Sequence, residues 1–210
     1  MGKRLENPRF ARAYLRLAPQ ADQRGVGEHR DRLLAGLTGV VCEIGAGQGL
    51  NFTRYPASVT RVVAVEPEPT LRVEAARLAP SASVPVAVVA ADAAALPLAD
   101  GSCDAVVASL LLCSVDSQAA VLAEAHRVLR PGGVLAFYEH VRSRSALVGL
   151  LEDVATPLWS RLAGGCHPNR DTPRAVTEAG FAMEALERFG YSPGGLVPPT
   201  AHVIGRASRG

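Results

Sequence analysis

Residues 40–51 read V-V-C-E-I-G-A-G-Q-G-L-N, a short apolar run that passes directly into three closely spaced glycines. The β-branched residues of the run, Val40, Val41 and Ile44, predict a strand that is buried on both faces, as in a parallel sheet. The glycines allow the backbone to turn sharply and allow a ligand to approach it without meeting a Cβ atom. The stretch therefore predicts the floor of a nucleoside-cofactor site.

Glu43 and the spacing of the glycines indicate which cofactor the site takes. A carboxylate at the end of a buried strand is costly unless it has a partner or reaches a wet cleft. Dinucleotides place a pyrophosphate on a helix N-terminus, usually with the spacing G-x-G-x-x-G, whereas this chain has G-x-G-x-G beside a negative charge. That charge would repel phosphate. It suits the ammonium group of S-adenosylmethionine, which carries adenine, ribose and a methionine tail but no phosphate.

Two further acids follow the next two predicted strands. Residues 61–65 form a predicted strand whose apolar residues directly precede Glu66, and residues 84–90 form another that leads into Asp92. Because the carboxyl ends of parallel strands share one edge of a sheet, these acids are expected beside the glycine turn. An ionised Glu66 can accept hydrogen bonds from both vicinal hydroxyls of a ribose, and Asp92 can accept one from an adenine amino group.

Strand and helix patterns alternate along the chain, which predicts parallel β-α units with right-handed crossovers. We expect strands at 40–44, 61–65, 84–90, 105–109, 134–138, 181–191 and 201–206, and helices at 9–17, 27–37, 50–55, 69–78, 117–129, 146–163 and 172–179. A Pro/Gly-rich loop joins the last two strands as an antiparallel pair. The predicted fold class is α/β, a seven-stranded, mostly parallel sheet with helices on both faces and an antiparallel C-terminal strand.

We expect a single domain over residues 1–210, with an N-terminal helical cap at 1–37 and a substrate-side insertion at 142–172. In the second helix of the cap, leucines at helical spacing are expected to face inward and residues 29–32 mostly outward. In the first helix, Phe10 and Tyr14 lie one turn apart. They could face the ligand, although core packing is the favoured interpretation for the pair.

Composition and charge argue against several other classes of protein. The formal net charge is only +2 and the basic residues are scattered, so we expect no nucleic-acid partner. Four cysteines without a C-x-x-C pair argue against a zinc ribbon and a disulfide framework and suit a reducing cytosol. The longest apolar segment, 146–163, carries charged residues and a proline. We expect no signal peptide, no membrane span and a cytoplasmic protein, and a homodimer stays open.

The motif series resembles that of class I S-adenosylmethionine-dependent methyltransferases over residues 38–140. The matching segments are E-I-G-A-G-Q-G (43–49), V-A-V-E-P (63–67), the acid at Asp92, D-G-S-C-D-A-V-V (100–107) and L-R-P-G-G (129–133). The resemblance implies a Rossmann-like class I methyltransferase fold that binds S-adenosylmethionine and releases S-adenosylhomocysteine.

Finer features resemble the mammalian methyltransferase-like alkyl thiol methyltransferases and their bacterial relatives. These features are G-x-N-F-x-x-Y-P (49–56), L-L-L-C-S-V (110–115), E-H-V (139–141), the W-x-x-x-x-x-G-C-like stretch (159–166) and H-V-I-G (202–205). The mammalian proteins carry a hydrophobic N-terminal membrane segment, from which this sequence departs. We therefore do not carry membrane association or lipid-like substrates over to this chain.

The resemblance also implies roles for individual residues. Gly45 and Gly47 would hold the methionine portion of the cofactor, Glu66 the ribose, and Asp92 with Ala93 the adenine. The Ser109–Leu110 backbone would close over the methionine side, and Glu43 would act indirectly through the glycine turn or a water. The complete set of predicted cofactor-binding residues is Tyr14, Glu43, Gly45, Ala46, Gly47, Gly49, Asn51, Glu66, Pro67, Asp92, Ala93, Ser109 and Leu110.

The predicted function is methyl transfer to a small-molecule acceptor, with a thiol sulfur as the best candidate. His140 is the leading candidate base because it follows the fifth strand at the edge where the methyl group should point, and His167 in a polar loop is its rival. Glu139 could orient His140, or face solvent or a backbone amide. The complete set of predicted substrate-side residues is Glu139, Trp159, Cys166 and His202.

Several alternatives stay open at this point. Cys166 and His167 are adjacent, but two further metal ligands at suitable spacing are missing from the sequence, so we expect no metal. Cys113 is interpreted as a small buried filler rather than a nucleophile. The acceptor could instead be an oxygen, nitrogen or carbon atom of a small metabolite or quinone-like compound. A cofactor-binding protein without methyl transfer is the alternative from another class.

Overall fold

The computed structural model describes residues 6–192 and 199–210, which include seven strands and six α-helices. The strands are β1 (Gly39–Ile44), β2 (Val59–Val65), β3 (Val86–Val89), β4 (Cys103–Ser109), β5 (Leu129–His140), β6 (Phe181–Tyr191) and β7 (Thr200–Arg209). The helices are α1 (Pro8–Ala21), α2 (Gly27–Leu34), α3 (Pro69–Leu78), α4 (Gln118–Val128), α5 (Ala146–Leu162) and α6 (Thr172–Glu178). Most of the Pro/Gly-rich loop predicted between the last two strands lies outside the described residues.

All seven strands belong to one sheet with the order β3-β2-β1-β4-β5-β7-β6. The first five strands in that order are parallel, and β7 runs antiparallel to both β5 and β6. The predicted fold class is thus confirmed. β1 pairs with β2 on one side and with β4 on the other. The chain therefore continues from β1 to β2 and β3 on one side of the sheet and then returns to β4 and β5 on the other. Such a switch point opens a crevice at the carboxyl ends of the strands, where ligands bind.

The region after the glycine turn differs from its predicted helix. Only a single 3-10 turn, Phe52–Arg54, forms there. Phe52 is fully buried, and a Cβ atom at Gly49 would lie 2.5 Å from its ring. Tyr55 is extended (ψ 131°) because the residue before a proline, here Pro56, avoids the helical conformation. The segment therefore serves as a packed loop that presses on the glycine turn.

Helix α5 presents its apolar side outward. The buried residues of the helix are Gly149 and Thr156. The Asp153 carboxylate forms an ion pair with Arg142 at 2.8 Å. The exposed apolar residues of the helix are Leu147, Val148, Leu150, Leu151, Val154, Leu158, Trp159 and Leu162. Trp159, which was predicted on the substrate side, thus lies on the exposed face of this helix, and its contact with a substrate stays a prediction. Among the described residues, no helix is long and apolar enough to cross a membrane.

Candidate active site

A cleft of about 420 Å³ opens at the carboxyl ends of β1 to β4, within the range typical of small-molecule sites. Helix α1 and the loop at residues 164–165 form its outer walls. Eight of the predicted cofactor residues line it, namely Tyr14, Gly45, Gly47, Glu66, Pro67, Asp92, Ser109 and Leu110. Phe10 lines it as well, so both aromatic residues of α1 face the cleft rather than the core.

Two glycines form the floor of the cleft in the left-handed region of backbone conformation. Gly45 has φ +67° and Gly47 has φ +59°, which disfavour any residue with a Cβ atom. An added Cβ atom would lie 2.5 Å from a methyl carbon of Leu111 at Gly45, and 3.2 Å from the ring of Tyr14 at Gly47. The turn thus needs glycine at both positions for its backbone conformation and for the side chains that close over it.

Glu66 connects the end of β2 to the glycine turn. Its Oε2 accepts a hydrogen bond from the Gly47 N–H at 2.8 Å, and its Oε1 accepts one from the Glu68 N–H at 2.9 Å. Only 5% of the residue is exposed, and this burial raises the pKa of its carboxyl to about 7, against the effect of the two N–H donors. The carboxyl thus titrates near neutral pH, at the position predicted to hold ribose hydroxyls.

The charge of the cleft identifies the type of ligand that it fits. Within the described part of the chain, four carboxylates line it and no lysine, arginine or histidine does. The four are Glu66, Glu68, Asp92 and Asp116. A cleft of this sign attracts cations and repels phosphate groups. S-adenosylmethionine, with a sulfonium and an ammonium group, fits this lining, whereas a dinucleotide does not.

Leu110 is held in a strained backbone conformation beside the cleft. It directly follows β4, and its φ of +56° is the one positive value of a non-glycine residue among the described residues. Its N–H donates to the Tyr138 carbonyl at 2.7 Å, which fixes the strained turn to β5. Such outliers persist where surrounding contacts enforce them, as they do at many ligand sites. Because of this turn, the loop at residues 111–117 lies along the cleft.

Five of the predicted cofactor residues lie behind the cleft rather than in its lining. Ala46 and Ala93 are packed in the two apolar cores, and Ala94 lines the cleft in place of Ala93. Gly49 accommodates the ring of Phe52, as described above. The remaining two are the buried Glu43 and Asn51. These five residues thus lie behind the lining of the cleft, as expected for Glu43, which was predicted to act indirectly, and their part in cofactor binding stays a prediction.

Glu43 and Asn51 belong to a buried polar network that reaches the N-terminal helices. Glu43 accepts hydrogen bonds from the Asn51 side chain and the Tyr55 hydroxyl, both at 2.8 Å. Arg30 donates to Asn51 Oδ1 at 3.0 Å and pairs with Asp22 at 2.9 Å. Its outward orientation was predicted from helical spacing and is wrong, since only 5% of Arg30 is exposed. A local pattern could not reveal its distant partners.

We expect Arg30→Ala to lower the free energy of unfolding by about 2 kcal/mol, because it leaves buried polar partners unpaired. The loss is moderated because Asp22 keeps its second partner, Arg54. Urea denaturation followed by circular dichroism measures the change. Arg77→Ala is the control, since it removes an exposed ion pair on α3 and should leave the midpoint nearly unchanged. Equal midpoints for the two variants would contradict the network's role.

The two predicted catalytic histidines lie next to the cleft but not in its lining. His140 Nδ1 is 3.8 Å from Cys113 Sγ and 3.6 Å from Cys166 Sγ, and the two sulfurs are 3.6 Å apart. The three ligand-type atoms form one compact group. His167 donates its backbone N–H to the Cys113 carbonyl, and its buried Nδ1 has no hydrogen-bond partner. Cys113, interpreted from the sequence as a filler, is thus part of a cluster.

The other predicted substrate-side residues support that cluster. Glu139 is fully buried and accepts hydrogen bonds from the backbone N–H groups of Leu111, Leu112 and Cys113. Of the three surroundings predicted for it, Glu139 thus faces backbone amides. His202 is buried, and its ring lies 4.3 Å from that of His140. The Trp159 side chain is half exposed. The pKa of the Cys166 thiol is lowered, chiefly by its hydrogen bond with Cys113. None of these four residues lines the cleft itself.

The sequence is similar to a family described as a methyltransferase domain, which matches residues 42–137. Human thiol S-methyltransferase TMT1B is 34% identical over 202 residues, which cover 91% of this chain and 82% of the relative. The rat thiol S-methyltransferase TMT1B is 36% identical over 169 residues, which cover 79% of this chain and 68% of the relative.

A solved S-adenosylmethionine-dependent methyltransferase structure from Thermotoga maritima superposes with a TM-score of 0.69. The superposition covers 96% of this chain and 97% of that one, at 21% sequence identity. At this identity the likeness concerns the fold, and it agrees with the seven-stranded sheet described above.

Proposed function

The chain belongs to the S-adenosylmethionine-dependent methyltransferases related to the thiol S-methyltransferases, and on this basis we propose that it methylates the sulfur of a small thiol. The observation that carries this proposal is the 34% identity to human thiol S-methyltransferase TMT1B over most of both chains. The cleft supports it independently, since its size and charge fit the cofactor that such a reaction requires.

We assign the parts of the cofactor to residues that line the cleft. When bound, S-adenosylmethionine supplies a methyl group on a positively charged sulfur that leaves as a neutral thioether. Glu66 accepts from the ribose hydroxyls, Asp92 from the adenine amino group, and the backbone at Gly45 and Gly47 holds the methionine portion. Tyr14 closes over the glycine turn and excludes water. The carboxylates favour the cationic cofactor over its uncharged sulfur product, which assists product exchange.

We place the acceptor at the wall formed by residues 111–117 and 164–165, beside His140. A thiol with a pKa of about 8.5 is already thiolate to a few per cent at neutral pH. The protein therefore has mainly to align the sulfur with the methyl carbon, which can supply roughly 7–11 kcal/mol of the barrier. His140 stays our candidate for activating the acceptor, and His167 is the second candidate.

A panel of acceptors tests the proposal. The protein is incubated with S-adenosylmethionine and separate alkyl thiols, aryl thiols, phenols and amines, and products are identified by mass spectrometry. We expect methyl thioethers from the thiols. Methylated phenols or amines alone would replace the thiol by another acceptor. Binding of S-adenosylhomocysteine without any methylated product would favour the non-catalytic alternative.

The affinity for S-adenosylhomocysteine is expected to fall roughly fivefold when the pH is lowered from about 7.5 to about 6. The pKa of Glu66 is raised to about 7, so its carboxyl becomes protonated over this range and loses acceptor strength toward the ribose hydroxyls. Calorimetry in buffers of different ionisation enthalpy should also show proton release on binding near pH 7. Glu66→Ala should remove both effects. If the affinity of the unmodified protein for S-adenosylhomocysteine did not change with pH, Glu66 would be excluded as the titrating acceptor.

A further inference from the structure

We propose that Cys113, His140 and Cys166 bind one soft divalent metal ion, zinc by preference, in a site with one open coordination position. The three residues come from the loop after β4, the end of β5 and the loop after α5, so no sequence spacing joins them. Two thiolates and one imidazole are a ligand set that zinc selects in proteins, and three protein ligands with one open position are typical of catalytic zinc.

The distances within the cluster match tetrahedral coordination. With Zn–S bonds of about 2.3 Å and Zn–N bonds of about 2.05 Å, tetrahedral angles place sulfurs about 3.8 Å apart and sulfur and nitrogen about 3.6 Å apart. The Sγ atoms of Cys113 and Cys166 are 3.6 Å apart, and His140 Nδ1 lies 3.6 and 3.8 Å from them. An ion thus fits between the three atoms with only small side-chain adjustments.

The surroundings hold the three ligands in place. The Cys113 N–H donates to Glu139 Oε2 at 3.1 Å, and the Cys113 carbonyl accepts from the His167 N–H at 2.7 Å. His140 lies on β5, where it is paired with His202 of β7. Arg170 donates to the Leu112 carbonyl at 2.6 Å, which ties the loop after α5 to the loop after β4. Ligands whose orientation is fixed by such contacts bind a metal without the cost of ordering them.

The open position gives the ion a role in the proposed reaction, and this part of the inference rests on the proposed function. Ser114 and Gly165, the immediate neighbours of Cys113 and Cys166, line the cleft, so an acceptor in the cleft lies close to the cluster. An acceptor thiol that binds the ion loses its proton to water. Its thiolate sulfur then forms a bond to the methyl carbon while the bond from that carbon to the sulfonium sulfur breaks. The neutral thioether product is a weaker metal ligand and leaves.

The first test is metal binding by the whole protein, independent of activity. Protein stripped by a chelator is kept reduced with a phosphine, because a thiol reductant would occupy the ion, and is titrated with Co²⁺ and then Zn²⁺. We expect one equivalent of Co²⁺ with sulfur-to-cobalt charge-transfer absorption that Zn²⁺ abolishes. Cys113→Ser, Cys166→Ser and His140→Ala should each weaken binding at least tenfold. Cys103→Ser is the matched control, since Cys103 is a buried cysteine at the start of β4, and it should bind normally.

The second test separates the metal site from the proposed function. Adding an alkyl thiol to the Co²⁺-loaded protein should shift the charge-transfer bands if the thiol takes the open position. Absence of stoichiometric binding by the unmodified protein, or binding that the three cluster variants retain, would overturn the metal site even if thiols are methylated. Metal binding without a thiol-induced shift would overturn its role in holding the acceptor. Full thiol methylation by the stripped protein would do the same.

Discussion

Glu139→Ala is expected to lower the free energy of unfolding by about 3–5 kcal/mol, the largest loss of stability that we predict for a single substitution. The Glu139 carboxylate accepts from the N–H groups of Leu111, Leu112 and Cys113 at 3.0, 2.8 and 3.1 Å, and the residue is fully buried. Without it, three backbone donors remain in the interior with no acceptor, and each such donor costs about 1–3 kcal/mol. Chemical denaturation monitored by circular dichroism measures the change.

A graded series of variants separates this effect from a simple loss of side-chain volume. In Glu139→Gln, the side-chain oxygen can still accept from the N–H groups of Leu111 and Leu112, but the amide NH₂ replaces the oxygen that accepts from the Cys113 N–H. We therefore expect a loss of stability between those of the unmodified chain and Glu139→Ala. Glu184→Ala, at an exposed position on β6, is the control and should leave the unfolding midpoint unchanged. If glutamine destabilised as much as alanine, hydrogen-bond acceptance at this position would not be the source of the stability.

Glu66→Ala is expected to weaken the binding of S-adenosylhomocysteine about 100-fold. Two hydrogen bonds from ribose hydroxyls to a buried carboxylate together account for about 3 kcal/mol, which corresponds to a factor of about 100 in affinity. The variant also releases the Gly47 N–H, which Glu66 holds at 2.8 Å, so the glycine turn loses a constraint at the same time. Isothermal titration calorimetry measures the affinity directly.

The control for this prediction is Glu74→Ala, which removes an acid of α3 that pairs with Arg77 outside the cleft. We expect its affinity for S-adenosylhomocysteine to equal that of the unmodified chain. A thermal melt of Glu66→Ala should show that the fold persists. If this variant folded and bound with unchanged affinity, the ribose would have to be assigned elsewhere.

Local patterns of residues predicted the architecture well. Apolar runs, helical spacing and turn residues depend on neighbours within a few positions, so strands β1 to β5 and the antiparallel pair β6 and β7 could be located from the sequence. The errors concern segments where packing overrides local preference. The turn at Phe52–Arg54 is shorter than its predicted helix because Phe52 is buried against the glycine turn. The apolar residues of α5, which would normally form core, face outward.

The cofactor side of the candidate site was also largely predictable. Glu66 and Asp92 follow the ends of consecutive parallel strands, and topology alone brings such ends to one edge beside Gly45 and Gly47. Residues that reach the cleft from other elements were harder to find. Phe10 and Gly165 depend on how α1 and the loop after α5 fold back over the sheet edge. The signal in the sequence was the aromatic spacing in α1 and the double glycine before Cys166.

The sequence by itself determined the parallel α/β fold, the glycine turn and the acids along the sheet edge, because these follow from short-range periodicity and from the rule that parallel strands end together. Only the tertiary structure decided that Arg30 points inward and that Glu139 serves three backbone amides. It also decided that Cys113 and Cys166 meet His140, across separations of 27 and 26 residues. Such contacts depend on strand register and on the course of the connecting loops, which local patterns do not encode.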